Sequence, residues 1–492
     1  MTPDQYACGL ESAPRTILCG GQWQETQGAG VIDVISPADG QVFARLSAGT
    51  EADVDAAVGA ARAAFTTGSW GRLTAAERGR LLQSLGRAIE ADAERLSQLE
   101  SRDTGKPLSQ ARADITITAR YFEYYGAGAD KLHGETIPFQ NDHTVMTLRE
   151  PHGVTGHVIP WNYPAQTFGR SLAPALAMGN ATVLKPAEDA CLLPLELADI
   201  AKAVGFPPGA INIVTGIGKV VGAALASHPG LDFLSFTGSP AVGTLVQKAC
   251  ADNHRGCVLE LGGKSPQVVF EDADLDQVLP VVKKAIVQNA GQTCSAGSRL
   301  LVQQSIYAQF LERLIPDFAT LITDHPERDA ACGPLISKRQ HQRVLRLLKL
   351  AEENGIAVLA TGSVAADAPR DGYYVAPTLI GPVPTDHLLA QEEIFGPVLC
   401  VMPFEDEEDA VRIANGTDYG LVAGVWTRDG GRQLRMARRL QVGQVFVNGY
   451  GAGGGVELPF GGRRKSGHGR EKGIEAMKEF SVVKTVVLYH GQ

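Results

Sequence analysis

The chain has 492 residues, 44% apolar and 20% charged, with a formal charge of −9 at pH 7; this is too long for one compact core and corresponds to about two to four ordinary domains. No basic face is available to neutralise phosphates, which disfavours nucleic acid as a partner. No uncharged apolar stretch approaches the ~20 residues a bilayer requires, Met1–Arg15 lacks the basic and apolar regions of a secretory leader, and the 8 cysteines show neither Cys-x-x-Cys nor Cys/His metal spacing, so the expectation is a cytoplasmic protein with reduced thiols, no metal and no membrane.

In chain order, Val54, Ala57, Val58, Ala61 and Phe65 recur at helical spacing, which predicts an amphipathic helix over 51–65. A second helix is predicted from Thr74, with Glu77 three residues on as a capping box. It carries Leu81, Leu82, Leu85, Ile89, Leu96 and Leu99 on its buried side and closes at Thr104-Gly-Lys-Pro107. A third is predicted from about Ser109 to Tyr125. Between Lys131 and Arg149 the pattern shifts to short β-prone pieces, Thr144–Leu148 the clearest, which suggests a projection from the main body.

Strands at Val154–Ile159, Ala181–Lys185, Ile211–Thr215, Asp232–Phe236 and Val258–Leu261 then alternate with helices. That pattern demands a parallel sheet covered on both faces. Ligands of such sheets sit beyond the carboxyl ends of the strands, which here carry Pro160-Trp-Asn162, Lys185-Pro-Ala-Glu188, Gly216-Ile-Gly218 and Thr237-Gly-Ser239. From Pro266 the alternation restarts with a strand at Gln267–Phe270, a helix across Leu275–Gln288, a strand at Arg299–Gln303, and further strands near Ile356, Val398, Val422 and Val445, giving a second α/β unit. Tyr450-Gly-Ala-Gly-Gly-Gly455 reads as a loop. The strand-like tail Phe480–Leu488 is suited to pair with the earlier projection, within one chain or across an oligomer.

Most single cysteines are packing residues. Cys294, in Gly291-Gln-Thr-Cys294-Ser-Ala-Gly-Ser298, follows an apolar helix on a glycine-containing turn, where backbone N–H groups can face sulfur and an adjacent oxyanion. Glu260 stands between Leu259 and Leu261; burial there raises a carboxyl pKa towards the range of a general base, although a paired structural acid is the alternative. Asn162 is either an oxyanion donor or the shaper of a Trp-Asn-Tyr-Pro turn.

Seven motifs stand in order: Pro160-Trp-Asn-Tyr-Pro164, Lys185-Pro-Ala-Glu188, Phe236-Thr-Gly-Ser239, Leu259-Glu-Leu-Gly-Gly-Lys264, Gly291-Gln-Thr-Cys294, Glu392-Glu-Ile-Phe-Gly-Pro397 and Pro459-Phe-Gly-Gly462. On these the chain resembles the NAD(P)-dependent aldehyde dehydrogenase superfamily over nearly its whole length. The resemblance implies an α/β fold of two Rossmann-like parallel-sheet domains plus a small β oligomerisation extension. It divides the chain into an NAD-binding domain (1–128 and 148–259), a catalytic domain (260–460) and the extension (129–147 and 478–492), in a homodimer or homotetramer.

The implied reaction is oxidation of an aldehyde to its acid. Cys294 is the nucleophile, passing through a thiohemiacetal and a thioester; Asn162 is the oxyanion donor, Glu260 activates the hydrolytic water, and Glu471 is a proton-relay acid. The implied cofactor set is Ile159, Pro160, Trp161, Lys185, Glu188, Gly218, Phe236, Gly238, Ser239, Leu261, Glu393 and Phe395. Gly238 and Ser239 would open a helix towards the pyrophosphate, with Gly243 allowing that helix to pack closely. A carboxylate at Glu188 favours NAD, with NADP possible.

Two departures stand out. Many relatives carry a lysine ten residues after the motif tryptophan, where this chain has Ser171. Arg170 matches an arginine that semialdehyde dehydrogenases use to hold a substrate carboxylate, but the second arginine of that clamp is replaced by Gln288; a substrate clamp and a structural ion pair both remain open. Trp161, Phe168, Tyr450 and Phe460, with Arg170 and Gln288, are the candidate substrate lining. The alternatives are a CoA-acylating relative, which Glu260 argues against, and a non-catalytic binding protein on the same fold.

Overall fold

Two β-sheets, each with its own apolar core, organise the residues described by the computed structural model: 17–26, 28, 30–451 and 455–491. The expectations placed on Met1–Arg15, on Cys8 and on residues 452–454 of the glycine loop lie outside the described residues.

The first sheet is 8-stranded. Its parallel centre runs Ile211–Val214, Ala181–Lys185, Val154–Val158, Phe233–Thr237, Gly256–Glu260. The Ala181–Lys185 strand is buried along its whole length, which explains a continuous apolar run in place of an alternating one. Both edges are antiparallel, with Ile17–Cys19 and Gln22–Gln24 on one side and Gly467–His468 on the other. These short edge strands lack a period long enough to read from sequence. The predicted helix after Gly218 is a π-helical turn, Gly218–Gly222, followed by Ala223–Ser227.

The second sheet is 7-stranded, in the order Val358–Thr361, Thr378–Ile380, Val398–Phe404, Arg299–Gln303, Pro266–Val269, Val422–Trp426, Gln444–Val447. Only its first pair is antiparallel.

Several helices follow their sequence signals closely. Glu51–Thr66 starts on a reciprocal Thr50/Asp53 capping box, and Ala75–Ala91 on a Thr74/Glu77 one. The single helix predicted to run on to Leu99 is instead two, because Asp92 leaves the helical region and Ala93–Thr104 restarts beyond it. Its carboxylate there accepts from Arg95 Nε at 2.7 Å.

The projection is a 3-stranded sheet in which Ser481–Tyr489 pairs with His143–Pro151 along its full length, so the tail joins its own chain. The other edge of Ser481–Tyr489 pairs with no strand among the described residues, and Val482, Val483, Val487, Leu488 and Tyr489 are exposed.

Phe168 corrects one expectation. It is fully buried in the first core, its ring 6.1 Å from that of Phe122, because its helix, Pro164–Ala177, is apolar on nearly all sides and sits between the sheet and the Leu108–Gly128 helix. Phe168 therefore lines no substrate passage. Among the described residues no helix is long and apolar enough to cross a membrane, and no group of His, Cys, Asp or Glu could hold a metal ion.

Candidate active site

The Leu275–Val287 helix runs into a tight reversal in which Asn289, Ala290 and Gly291 all have positive φ (49°, 53° and 72°). A Cβ on Gly291 would lie 2.1 Å from the Gly396 carbonyl oxygen, so the turn demands glycine. It delivers Cys294 to the wall of a cavity of about 1740 Å3, shared with Asn162, Glu260, Arg170 and Glu393. Burial pushes the Cys294 thiol up to about 12, with Arg170 pulling the other way. The turn thus presents a protonated thiol, which needs a base at the moment of attack.

Asn162 stands at the carboxyl end of the first sheet and is bound on both sides. Its Nδ2 donates to the Gln292 carbonyl at 2.9 Å, and its own carbonyl accepts from Asn289 Nδ2 at 2.9 Å. Tyr163 hydroxyl and Thr293 Oγ1 lie 2.8 Å apart next to them. An amide nitrogen carries two donors, so one N–H of Asn162 remains uncommitted in the wall that holds Cys294.

Glu260 ends the Gly256–Glu260 strand, 2% exposed, with neither carboxyl oxygen hydrogen-bonded. Burial, followed by the nearby Glu471 charge, raises its pKa well above the ordinary carboxylate range. Glu471 is fully buried; it pairs with Arg170 Nε and accepts from Ser235 Oγ at 3.1 Å.

Arg170 is thereby a structural ion-pair partner, with its Nη2 donating to Thr237 Oγ1 at 3.2 Å, so of the two readings open for it the structure has the ion pair, and its place in the substrate lining is corrected to that of a paired cation in the wall. Ser171 donates to Ser235 at 3.1 Å and lies 2.6 Å from His157 Nδ1. Burial drives His157 down to about 3, keeping it neutral. The cation beside Glu471 is therefore Arg170, one residue before the serine.

Among the residues expected to hold a cofactor, Lys185 Nζ donates to Glu188 Oε2 at 2.6 Å, and Gly218 N donates to Glu188 Oε1 at 3.2 Å. This trio closes on itself and lies outside the cavity wall. Pro160, Trp161, Gly238, Ser239, Leu261, Glu393 and Phe395 are in the wall.

Ser239 caps the Pro240–Asp252 helix, its Oγ accepting from Val242 N at 3.5 Å; Pro240 carries no N–H and Gly243 N donates to the Ser239 carbonyl at 2.9 Å, so the first turn offers the Ala241 N–H. A Cβ on Gly243 would come within 2.6 Å of Leu261, the close packing anticipated for that position. Trp161 and Phe395 meet edge to face at 5.4 Å, and Glu393 accepts from Gly263 N at 2.8 Å, its carboxyl raised by burial to about 7. Ile159 and Phe236 are buried and absent from the wall. This set suits a dinucleotide: an ammonium–carboxylate pair for ribose hydroxyls, a helix start for phosphates and an aromatic pair in the wall that also carries Cys294.

Of the remaining candidates, Gln288 Nε2 donates to the Tyr163 hydroxyl at 3.3 Å and Tyr450 hydroxyl donates to the Ser295 carbonyl at 2.8 Å, both in the wall with Phe460. Two lysines escaped the sequence reading. Lys106, taken only as part of a helix stop, is fully buried; its ammonium holds Glu100 at 2.7 Å, Asp114, and the Asn162 carbonyl at 3.1 Å, and sits 4.4 Å from the Tyr163 ring centroid. Burial opposes its charge, and Asp114 and Glu100 outweigh that. Lys472 lines the cavity next to Phe460. A lysine between Gly105 and Pro107 was a visible signal, but its acids six residues before and eight after meet it only through the fold.

The Aldehyde dehydrogenase family model matches residues 23–486. Human retinal dehydrogenase 2 is 40% identical over 483 residues, 97% of this chain and 92% of the relative. Among solved structures, a Burkholderia cenocepacia protein provisionally assigned as an aldehyde dehydrogenase is 57% identical with a TM-score of 0.96, covering 97% of this chain and all of its own. Betaine aldehyde dehydrogenase from Staphylococcus aureus, in complex with NAD+, is 34% identical with a TM-score of 0.96, covering 99% of this chain and 98% of its own.

Replacing Lys106 tests the support beneath Asn162. Lys106→Met strands Glu100, already raised by burial to about 8, and Asp114 without their cation. The expected cost is about 3–5 kcal/mol of stability, read as a lower urea midpoint.

Proposed function

The chain belongs to the aldehyde dehydrogenase family, and from that premise we propose that it oxidises an aldehyde irreversibly to the carboxylic acid with NAD, through a thiohemiacetal and then a thioester on Cys294. What carries the reading is one cavity holding a thiol, an amide N–H with no partner, and a buried carboxyl with no hydrogen bond.

An aldehyde does not surrender hydride directly, because its carbon lacks the oxyanion that expels it. Sulfur attack creates that oxyanion and divides one hard oxidation into two easier steps. Glu260, its proton affinity raised by burial, relieves Cys294 of its proton; Sγ bonds to the carbonyl carbon, and the new oxyanion meets Asn162 Nδ2–H and the Cys294 N–H. NAD, when bound, supplies the hydride acceptor. Glu260, once it has passed that first proton to solvent, takes a proton from the water that attacks the thioester; the C–S bond breaks, the acid is released, and Sγ stays on the enzyme as the thiolate. Glu471, set by Arg170 and Ser235, serves as the relay acid behind Glu260, with Ser171 contributing a hydroxyl in place of the lysine of relatives.

In this reading Lys185 and Glu188 hold the adenosine ribose, the Pro240–Asp252 helix start meets the pyrophosphate, and Glu393 with Phe395 flanks the nicotinamide end. A carboxylate at Glu188 repels a 2′-phosphate and supports NAD over NADP. The proposal extends to a cytoplasmic location. It also makes the protein a homodimer or homotetramer joined through the open Ser481–Tyr489 edge; light scattering of the full chain should give a dimer or tetramer mass, and a monomer at micromolar concentration rejects the assignment.

Cys294→Ala is expected to abolish NADH formation while NAD still binds by fluorescence titration; wild-type turnover in that variant defeats the mechanism. Asn162→Ala should lower kcat about 100- to 1000-fold. Acid formation should need no CoA, and a strict CoA requirement would instead establish an acylating enzyme. Because Glu260 works in its deprotonated form and its pKa is raised, single-turnover thioester hydrolysis should speed up as pH rises through that pKa, and this limb should vanish in Glu260→Gln.

A further inference from the structure

With Arg170 engaged by Glu471 and Thr237, the cavity retains one other cation against the same aromatic ring. Lys472 Nζ lies 5.2 Å from the Phe460 ring centroid, and Arg170 Cζ 5.5 Å from it. Arg170 has its carboxylate; Lys472 has none within ion-pair distance among the described residues. Glu471 and Glu260 act on Lys472 only at longer range, and burial with the Arg170 charge pulls its ammonium down to about 8. An added anion would relieve that penalty. With Glu471 engaged by Arg170, Lys472 is the cation beside this ring left without a paired carboxylate among the described residues.

The backbone adds an independent observation. Lys472 has φ 61° and ψ 167°, a region essentially reserved for glycine that costs a side-chain-bearing residue about 1–3 kcal/mol. Glycine would relax the chain here at no steric cost. A lysine is held there instead, half-buried in the wall that also carries Cys294.

We propose that Lys472 is the subsite for a carboxylate at the far end of the aldehyde substrate, and that ω-carboxy aldehydes are the preferred substrate class. The proposal rests on the aldehyde-oxidising reading above and moves the charge-recognising role from Arg170 to a residue the motifs do not mark. Lys472 touches the remote carboxylate and takes no part in bond making.

The test compares succinic and glutaric semialdehydes with butanal and pentanal, which carry the same carbon chains without the acid. The measured quantity is the ratio of kcat/KM for each acid to that of its uncharged match, so any general loss of activity cancels. Wild type should favour the acids. In Lys472→Met that ratio should fall roughly ten- to a hundredfold, the span of a charge-assisted hydrogen bond, with the change in KM; Lys472→Arg should retain most of it. Lys472→Gly, free of the backbone strain, should fold at least as well and lose the ratio equally, separating the side chain from stability.

An unchanged ratio in both the Met and Gly variants overturns the proposal, as does a wild type without acid preference. Should no aldehyde of either kind be oxidised, the fault lies with the reaction, and calorimetric titration with glutarate decides for Lys472. Binding that disappears in Lys472→Met upholds the subsite, and no binding to wild type removes it.

Discussion

The cysteine and its partners come from different sheets, and everything chemical depends on the stitching between them. Asn162 belongs to the loop leaving the first sheet, while Asn289, Gln292 and Thr293 belong to the turn before Cys294. The two are tied by Asn162 to Gln292, Asn289 to Asn162, and Tyr163 to Thr293, all at 2.8–2.9 Å. Beneath them a buried ammonium at Lys106 grips the Asn162 carbonyl from the far side. These bonds fix the direction of an amide N–H relative to a sulfur, and oxyanion stabilisation survives little misplacement.

Charge in and behind the cavity wall is arranged with economy. Arg170 and Glu471 cancel, His157 is held neutral, and Glu260 and Cys294 are both pushed towards their protonated forms. Desolvation is the first cause at each of the last three. With Lys472 as the exception, the low charge around the thiol keeps it from idle oxidation and leaves proton transfer to be triggered between two neighbours whose affinities have both been raised.

Sequence patterning made much of this fold legible. The parallel centre of the first sheet was readable because its strands are buried on both faces and separated by helices of ordinary length; Cys294, Glu260 and Asn162 were readable because they sit in short motifs where local chain geometry and chemistry coincide. What escaped reading is tertiary. Lys106 meets Glu100 and Asp114 across a helix junction, Arg170 meets Glu471 from residues far apart in sequence, and Phe168 turns into the core although it lies two positions from Arg170 in the same helix. The antiparallel edges Ile17–Cys19 and Gly467–His468 were too short to show any period. Ser171 read as a loss, yet in three dimensions it is a link in a hydroxyl chain that reaches Glu471.

The stretch 467–489 supplies an edge strand of the first sheet, the buried acid Glu471, and the tail strand laid against His143–Pro151. Asn180 clasps it from the N-terminal half, with Nδ2 on the Phe480 carbonyl at 2.9 Å. During synthesis on the ribosome, the cysteine turn, the asparagine loop and both sheet centres are therefore made well before the segment that brings Gly467, His468 and Lys472 into the cavity wall. Such late, long-range closure is slow to find and unforgiving of truncation: a nascent chain completes the wall around its thiol only when this returning stretch is in place.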